Sequence, residues 1–253
     1  MSDRELIRHT GADALALAIA GRLVATVVEA QTQRQVAHVV LTGGGIGTAV
    51  LVALAADPAV SAIDWQRIHL WWGDERYVPT GDVDRNETGA RAALIDHVAI
   101  PHERVHAMAG PDRSASVEAS AAAYADALTK AGSGQIPEFD VLLLGIGPDA
   151  HVASLFPEHP AMHAEGWVVA VHNSPKPPPT RVSMSMATLN RARHTWVLAS
   201  GASKSEAVQL AFEPHAEPWQ VPASGVHGLQ QTLFLVDEAA AADLPSDFGR
   251  PSA

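Results

Sequence analysis

The stretch Phe139–Pro157, with the sequence FDVLLLGIGPDAHVASLFP, is the most informative part of the chain. Its first part, Val141–Leu144, is a short run of large apolar residues bounded by Gly145 and Gly147, which is typical of a fully buried strand in a parallel sheet. Ligands of open α/β sheets bind beyond the carboxyl ends of the strands, so His151 is expected at a ligand-binding edge. An imidazole can accept a proton near neutral pH, since its unperturbed pKa is about 6.5. His151 is therefore the candidate general base.

Strands and helices alternate along the rest of the chain. Apolar periodicity predicts helices over Ala12–Arg34, Thr48–Ala56 and Ser116–Lys130, and short apolar runs predict strands over Val36–Leu41, Ile68–Trp72 and Thr195–Ala199, with Gly43–Gly47 as a turn. This alternation indicates an α/β fold, a Rossmann-like, doubly wound, mostly parallel sheet flanked by helices. No repeat or linker interrupts it, so we expect a single domain over residues 1–253.

Composition excludes several classes of protein. The chain has no cysteine, which rules out disulfides, thiolate metal sites and a cysteine nucleophile and suits a cytoplasmic location. The amino end is mixed in charge and Arg22 interrupts the apolar stretch Leu15–Val28, so neither a signal peptide nor a membrane span is expected. The formal charge is −11 with no basic run, so nucleic acid and anionic membranes are not expected partners.

Four segments, taken in order, resemble one known family. They are Leu41–Gly45, Gly73–Arg76, Gly145–Pro157 and Ser174–Pro179. The third is similar to the G-x-G-x-D-G-H-x-A-S-L-F-P signature of the 6-phosphogluconolactonases, and the resemblance extends from about Val39 to Lys204. It implies hydrolysis of 6-phospho-D-glucono-1,5-lactone to 6-phospho-D-gluconate by water, with no cofactor, no metal and no covalent intermediate. The expected partner is the small sugar phosphate lactone, and the protein is expected to be a monomer.

The resemblance also implies roles for individual residues. His151 would activate the attacking water, and Asp149 would orient its ring. The groups expected to bind the phosphate or to lie beside it are Gly43, Gly44, Gly45, Arg76, Lys176, Arg181 and Lys204. The last four supply the local positive charge that a phosphate ester needs on an acidic protein.

The glycine cluster Gly43–Thr48 is ambiguous on its residues alone. It matches neither the dinucleotide pattern nor the P-loop, so a NAD or ATP site is disfavoured. An anion site at a helix N-terminus and a purely structural turn remain equally plausible. The family has hydroxyl side chains where this chain has Gly45 and Ile46, so backbone groups, or Thr42 and Thr48, are expected to substitute.

Two further positions leave alternatives open. Judged by its neighbours alone, Arg76 favours an ion pair with Asp74 or Glu75, whereas the resemblance implies a contact with the 6-phosphate. Ala150 stands where the family has glycine. If the backbone there needs a positive φ, the methyl group costs on the order of 1 kcal/mol and could displace the histidine ring.

Three other functions compete with the lactonase interpretation. His102–His106 has the letters of the zinc-protease motif, but Pro101 and Pro111 leave little room for the helix that this motif needs. Glucosamine-6-phosphate deaminases, which are related, have a glutamate five residues after their histidine, where this chain has Phe156. A non-catalytic sugar-phosphate sensor would be indicated by the loss of His151 and Arg76, and both are present.

Overall fold

The computed structural model describes residues 4–252, and its core is a seven-stranded sheet. The ten strands are β1 Arg4–His9, β2 Ala37–Leu41, β3 Ile68–Trp72, β4 Asp74–Arg76, β5 Phe139–Gly145, β6 Val168–Val171, β7 Arg181–Met184, β8 Ala192–Ala199, β9 Gln231–Asp237 and β10 Arg250–Pro251. The main sheet has the order β10-β1-β9-β8-β5-β2-β3, and every pair in it is parallel. The predicted α/β class is confirmed.

Helices cover both faces of this sheet. They are α1 Ala12–Arg34, α2 Gly44–Ala56, α3 Asn86–Ala93, α4 Val117–Ala131, α5 Met186–Leu189 and α6 Ser205–Ala211. On one face α1 buries Leu15, Ile19 and Leu23 at helical spacing, in a core that it shares with α2 and α3. On the other face α4, α5 and α6 pack into a second core. Parallel strands with helices on both faces bury both sides of the sheet, as their continuous apolar sequences require. No helix within residues 4–252 is long and apolar enough to cross a membrane.

The order of the strands reverses between β2 and β5. From β2 the chain continues outward to β3, and it then returns to place β5 on the other side of β2. Val39 and Val40 pair with Val141 and Leu142, so the loops that follow the two strands leave the sheet side by side. A crevice at such a reversal is where open parallel sheets bind ligands.

A smaller antiparallel sheet, β4-β7-β6, adjoins that crevice. Sequence patterns did not predict it, because β4 has only three residues and β6 and β7 four each. It places Arg76 directly opposite Arg181 on neighbouring strands. Two arginines that were predicted near the site are thereby brought together at one edge of the crevice.

The glycine-rich turn is shorter than predicted. The ranges Ala12–Arg34 and Ile68–Trp72 are confirmed, but α2 begins at Gly44 and not at Thr48, so most of the glycines lie in its first turn. Gly44 has a φ of +79°, a value that glycine tolerates. A methyl group on Gly47 would lie 2.8 Å from the Thr42 carbonyl oxygen, so the start of the helix packs closely against the end of β2.

Candidate active site

A cavity of about 300 Å³ lies where the loops after β2 and β5 meet the small sheet. Most of the predicted site residues line it: Gly43, Gly44, Arg76, His151, Lys176, Arg181 and Lys204, together with Thr42 and Asn86. Gly45 lines an adjoining groove instead, and Asp149 lies behind His151. The amide of Gly145 donates to the Thr42 hydroxyl at 3.1 Å, which joins the two loops at the floor of the cavity.

The adjoining groove has a volume of about 750 Å³ and runs between α1 and α2. It shares Gly43, Gly44 and Arg76 with the cavity. Three large apolar side chains line it, and all are exposed: Leu17 at 63%, Val52 at 53% and Val83 at 89%. We call this feature the apolar groove.

His151 is held by a tight turn and by Asp149. The amide of Gly147 donates to the His151 carbonyl at 2.9 Å, and the amide of Ala150 donates back to the Gly147 carbonyl at 2.9 Å. Nδ1 of His151 lies 2.5 Å from Oδ1 of Asp149. Because the ionised carboxylate only accepts, Nδ1 is the protonated nitrogen and Nε2 carries the lone pair. The ring is 15% exposed, so Nε2 is the nitrogen available to a water molecule in the cavity.

Asp149 stays ionised beside the histidine. Its partial burial opposes ionisation, but hydrogen bonds and charge from His151 and Lys176 outweigh that penalty and lower the pKa of Asp149. Nζ of Lys176 lies 3.0 Å from Oδ1 of Asp149 and 3.3 Å from Nδ1 of His151. Lys176, predicted beside the phosphate, therefore contacts the Asp149–His151 pair.

Arg76 enters the cavity without an acidic partner. Within residues 4–252 no carboxylate lies at ion-pair distance from it, so the alternative ion pairs with Asp74 and Glu75 are not formed. Nη1 of Arg76 donates to the carbonyl of Asp84, and its buried Nε has no hydrogen-bond partner among the described residues. The guanidinium of Arg76 lines the cavity with no carboxylate partner among the described residues, so it is a suitable group to bind an anion.

Asp74 and Glu75 instead belong to a buried network beneath Arg76. Oδ2 of Asp74 accepts from the Ser154 hydroxyl at 2.6 Å. Glu75 accepts from the backbone amides of Arg76 and Asn86, each at 2.8 Å, and burial raises its pKa against the opposing charge of Arg85. These carboxylates fix the backbone that carries Arg76.

Asn86 is a site residue that the sequence reasoning missed. It lines the cavity, and its Oδ1 lies so close to Gly43 that a methyl group there would approach it to 1.8 Å. A lone asparagine after a loop gives no pattern that marks it as functional.

Lys204 and Arg181 differ in how far their charged groups are already engaged by other residues. Within the described residues Lys204 forms no ion pair, and burial together with the nearby charge of Lys176 lowers its pKa. Arg181 is 4% exposed and donates to three carbonyls of the proline loop, those of Lys176, Pro177 and Pro178, at 3.0–3.1 Å. Lys204 can bind an anion directly, whereas most donors of Arg181 support the loop.

The segment His102–His106 does not form the helix that zinc binding by the zinc-protease motif requires. His102–Arg104 is a single 3-10 turn, and Nε2 of His106 lies 2.7 Å from Nδ1 of His69. No group of three or more histidine, aspartate or glutamate side chains in residues 4–252 is arranged to hold a metal ion.

Comparison with known proteins shows the family of the chain. Residues 10–235 match the family model described as glucosamine-6-phosphate isomerases/6-phosphogluconolactonase. A 6-phosphogluconolactonase of Streptomyces coelicolor is 49% identical over 260 residues, covering 100% of this chain and 99% of that protein. One from Mycobacterium tuberculosis is 46% identical over 239 residues, covering 92% and 96%. The chain belongs to the glucosamine-6-phosphate isomerase/6-phosphogluconolactonase family.

A solved structure extends the likeness to three dimensions. The 6-phosphogluconolactonase from Trypanosoma brucei superposes with a TM-score of 0.81 at 27% identity, covering 97% of this chain and 100% of that one. The family fold is therefore present over nearly the whole length of the chain.

The chain accommodates its alanine at the family's glycine position. Ala150 has a φ of +61°, so the backbone does adopt the conformation that glycine favours. Its methyl group is fully buried in the core, and burying one methyl group is worth about 0.8 kcal/mol, close to the cost of the positive φ. With the alanine in place, Nδ1 of His151 lies 2.5 Å from Oδ1 of Asp149, so the pair forms despite the added methyl group.

Phe156 takes the position of the deaminase glutamate. It is 1% exposed, and its ring centre lies 4.4 Å from that of His151. Among residues 4–252, Asp149 is the carboxylate at ion-pair distance from His151. The family's deaminase chemistry thus lacks its second carboxylate here.

Proposed function

We propose that the chain hydrolyses 6-phospho-D-glucono-1,5-lactone to 6-phospho-D-gluconate. The observation that carries the proposal is the Asp149–His151 pair, whose Nε2 opens into a cavity that also holds Arg76 and Lys204. One cavity that holds a base together with cations that have no acidic partner among residues 4–252 suits a substrate with an electrophilic carbonyl and a phosphate. The curated relatives named 6-phosphogluconolactonase support the same assignment.

Water is the nucleophile in the proposed reaction. Nε2 of His151 takes a proton from water as its oxygen bonds to the lactone carbonyl carbon. The tetrahedral intermediate then breaks its bond to the ring oxygen, and His151 returns the proton to that oxygen. Asp149 keeps Nδ1 protonated and stabilises the imidazolium between the two steps. Neither step requires a metal or a cofactor, so a chelator is expected to leave the rate unchanged.

The phosphate is held away from the reacting carbonyl. Arg76 offers its guanidinium and Lys204 its ammonium, neither of which has an acidic partner within residues 4–252, and Gly43 and Gly44 offer their backbone at the start of α2. Each charge-assisted hydrogen bond contributes about 1.5–3 kcal/mol, so a few of them outweigh the repulsion from a net charge of −11. Anchoring the phosphate positions the carbonyl for attack.

The first test measures opening of freshly prepared lactone above its background hydrolysis. His151→Ala is expected to lose about 10²- to 10⁴-fold in kcat, the usual contribution of general base catalysis. His97→Ala, which removes an exposed histidine in the 3-10 turn after α3, is the matched control and is expected to keep full activity. Equal rates for the His151 variant and the parent protein would rule out His151 as the base.

A second test separates substrate capture from chemistry. Arg76→Met is expected to raise KM about ten- to a hundredfold and to change kcat much less, because it removes a contact to the unreactive phosphate. Arg67→Met is the control, since Arg67 precedes β3 and pairs with Asp64 at 2.7 Å, outside the cavity. A large loss in kcat at unchanged KM would contradict a phosphate role for Arg76.

The alternatives predict different readouts. A deaminase would release ammonia from glucosamine 6-phosphate, and Phe156 in place of the glutamate disfavours that result. A sensor would bind 6-phosphogluconate without opening the lactone. A cytoplasmic location and a monomeric state stay predictions. Sedimentation velocity measures the oligomeric state.

A further inference from the structure

Lys176 is the cation in direct contact with both members of the candidate catalytic pair. Its Nζ lies 3.0 Å from Oδ1 of Asp149 and 3.3 Å from Nδ1 of His151. Nδ1 donates to the same oxygen, so Oδ1 accepts two hydrogen bonds at once. Lys176 and Asp149 are 37% and 35% exposed, so this contact is formed at the wall of the cavity.

The position of Lys176 is built into the proline loop. The hydroxyl of Ser174 donates to the Lys176 carbonyl at 2.9 Å and accepts from the Lys176 amide at 3.3 Å. Nη2 of Arg181 donates to the same carbonyl at 3.1 Å. The guanidinium of Arg181 also lies over the Phe156 ring, which packs on His151. The buried Arg181 thus contacts the backbone of Lys176 directly and the ring of His151 through Phe156.

Other charged groups near the pair are more distant or already engaged. Lys204 shares the cavity and adds positive charge near Lys176 and Asp149. Arg76 also lines the cavity, and Arg181 is engaged by the proline loop and lies 4.0 Å from Asp74. Phe156 covers the ring with an apolar surface. Within the described residues, Asp149 and Lys176 are the ionised groups that touch His151.

We propose that Lys176 is a positioning residue for the Asp149–His151 pair, an inference that rests on the proposed lactonase function. Its ammonium fixes the carboxylate that orients the ring. The ammonium lies 3.3 Å from Nδ1, so its positive charge opposes a second positive charge on the ring. After attack, the same repulsion favours transfer of the proton from the imidazolium to the leaving ring oxygen.

This role differs from the phosphate contact that the sequence predicted for Lys176. A lysine held by Asp149 lies at the end of the cavity where the base acts, whereas Arg76 and Lys204 have no acidic partner within residues 4–252. Loss of a phosphate contact would appear in KM, and loss of the positioning charge would appear in the pH dependence.

The test compares Lys176→Met with Lys176→Arg, which keeps the charge. In the substrate-free protein, the ring proton signals of His151 are followed by NMR between pH 5 and 9 and assigned with His151→Gln. We expect the titration midpoint of this ring to rise by about 1 pH unit in Lys176→Met and to move much less in Lys176→Arg. The acid limb of the kcat/KM profile for the lactone should move in the same direction, with KM changed less than about twofold.

Lys204→Met is the matched control, a second lysine of the cavity that does not touch the pair. It is expected to raise KM and to leave the His151 midpoint closer to that of the parent protein. An unchanged midpoint in Lys176→Met, or a rise in KM with an unchanged acid limb, would overturn the inference. If the parent protein opens no lactone but the midpoint still shifts, the proposed function fails while the contact between Lys176 and the pair stands.

Discussion

Gly147 lacks a side chain at the point where the His151 ring lies. A methyl group there would approach Nδ1 of His151 to 2.0 Å and Oδ1 of Asp149 to 2.5 Å. Neither contact is possible, so any larger residue has to displace the ring or the carboxylate. The glycines of this turn thus matter as much for the space they leave as for the turn itself.

We therefore predict that Gly147→Ala loses on the order of 10²-fold in kcat, since a displacement of about 1 Å in a catalytic group costs that much. The comparison is with Gly73→Ala, whose added methyl group would meet its nearest neighbours at an ordinary 3.7 Å and should change kcat little. Lactone opening and circular dichroism of both variants separate loss of activity from loss of fold. Full activity in Gly147→Ala would show that the ring tolerates the displacement.

Contacts between site residues were predictable where they form within one motif and unpredictable where they join distant segments. His151 and Asp149 are two residues apart, so their pairing follows from one turn. Lys176 and Asp149 are 27 residues apart, and only the folded proline loop decides which acceptor the lysine meets. For the same reason Arg181 was expected only as a cation, whereas the structure shows it supporting that loop.

At the scale of elements, the edge of the main sheet carries a stack of aromatic rings. We call it the histidine stack: His38 on β2, His69 and Trp71 on β3, and His106 in the segment beside β3. The ring centres of His38 and His69 are 4.8 Å apart, those of His69 and His106 5.0 Å, and those of Trp71 and His106 3.8 Å. His106, the second histidine of the zinc-protease motif, is therefore part of this stack.

Hydrogen bonds fix the protons of this stack. Nε2 of His69 accepts from Arg104 at 2.9 Å, so its Nδ1 carries the proton that it donates to Nε2 of His106. Nδ1 of His38 accepts from the indole of Trp71 at 3.2 Å. Protonation of any of the three rings removes an acceptor. Burial and the neighbouring positive charges lower the pKa of all three histidines. The pKa of His38 falls to about 3 and that of His106 to about 4.

The histidine stack predicts a loss of stability in acid. These rings bind protons more weakly in the folded chain than in the unfolded chain, where their pKa is about 6.5. The free energy of unfolding therefore falls as pH drops below about 6.5 and continues to fall to about pH 3, the pKa of His38 in the folded chain. His106→Gln keeps an acceptor for His69 but removes one titrating ring, so it should reduce the loss between pH 7 and pH 5 by about 1 kcal/mol, allowing for partial exposure of the ring.

Urea unfolding at both pH values measures this effect. His194→Gln is the control, because His194 is another partly buried histidine, on β8, whose pKa burial lowers as well but which lies outside the stack. The pH dependence of the parent protein should be reduced more by the stack variant than by this control. An unchanged pH dependence in His106→Gln would contradict the prediction.

Elements were predictable where an apolar pattern was long or sharply bounded. The 23 residues of α1 and the glycine-bounded β5 show such patterns. β1 was missed because its sequence, RELIRH, mixes charged and apolar residues, and Leu6 and Ile7 are buried only once β9 lies beside them. The small sheet was missed for a related reason, since its strands are short and β4 forms only by pairing with β7, far away in sequence.

At the scale of the whole molecule, the two ends of the described chain meet in one sheet. β1 pairs with β9 on one side and with β10 on the other. Arg8 of β1 is 9% exposed and donates to the carbonyls of Phe248 and Pro245 at 3.0 and 2.7 Å. Early and late segments therefore depend on each other for hydrogen bonds, which supports our proposal that residues 1–253 form one domain.

One domain predicts one unfolding transition. Urea curves followed by tryptophan fluorescence and by far-ultraviolet circular dichroism should coincide, with the same midpoint and the same slope. Three of the six tryptophans, Trp71, Trp72 and Trp196, are buried in the main sheet, so the fluorescence reports in part on its centre and edge, while circular dichroism reports on all helices. Two separated midpoints would contradict the single domain.

The apolar groove beside the cavity has a consequence for the design of inhibitors. A phosphorylated mimic seated on Arg76 has an open route along α2 toward Val52, because the two spaces share a wall. An aliphatic or aromatic arm placed there would gain roughly 25 cal/mol for each Å² of apolar surface it covers. Such compounds would derive selectivity from side chains that take no part in the reaction. Val52→Glu should weaken binding of the extended mimic and leave binding of the unextended one unchanged.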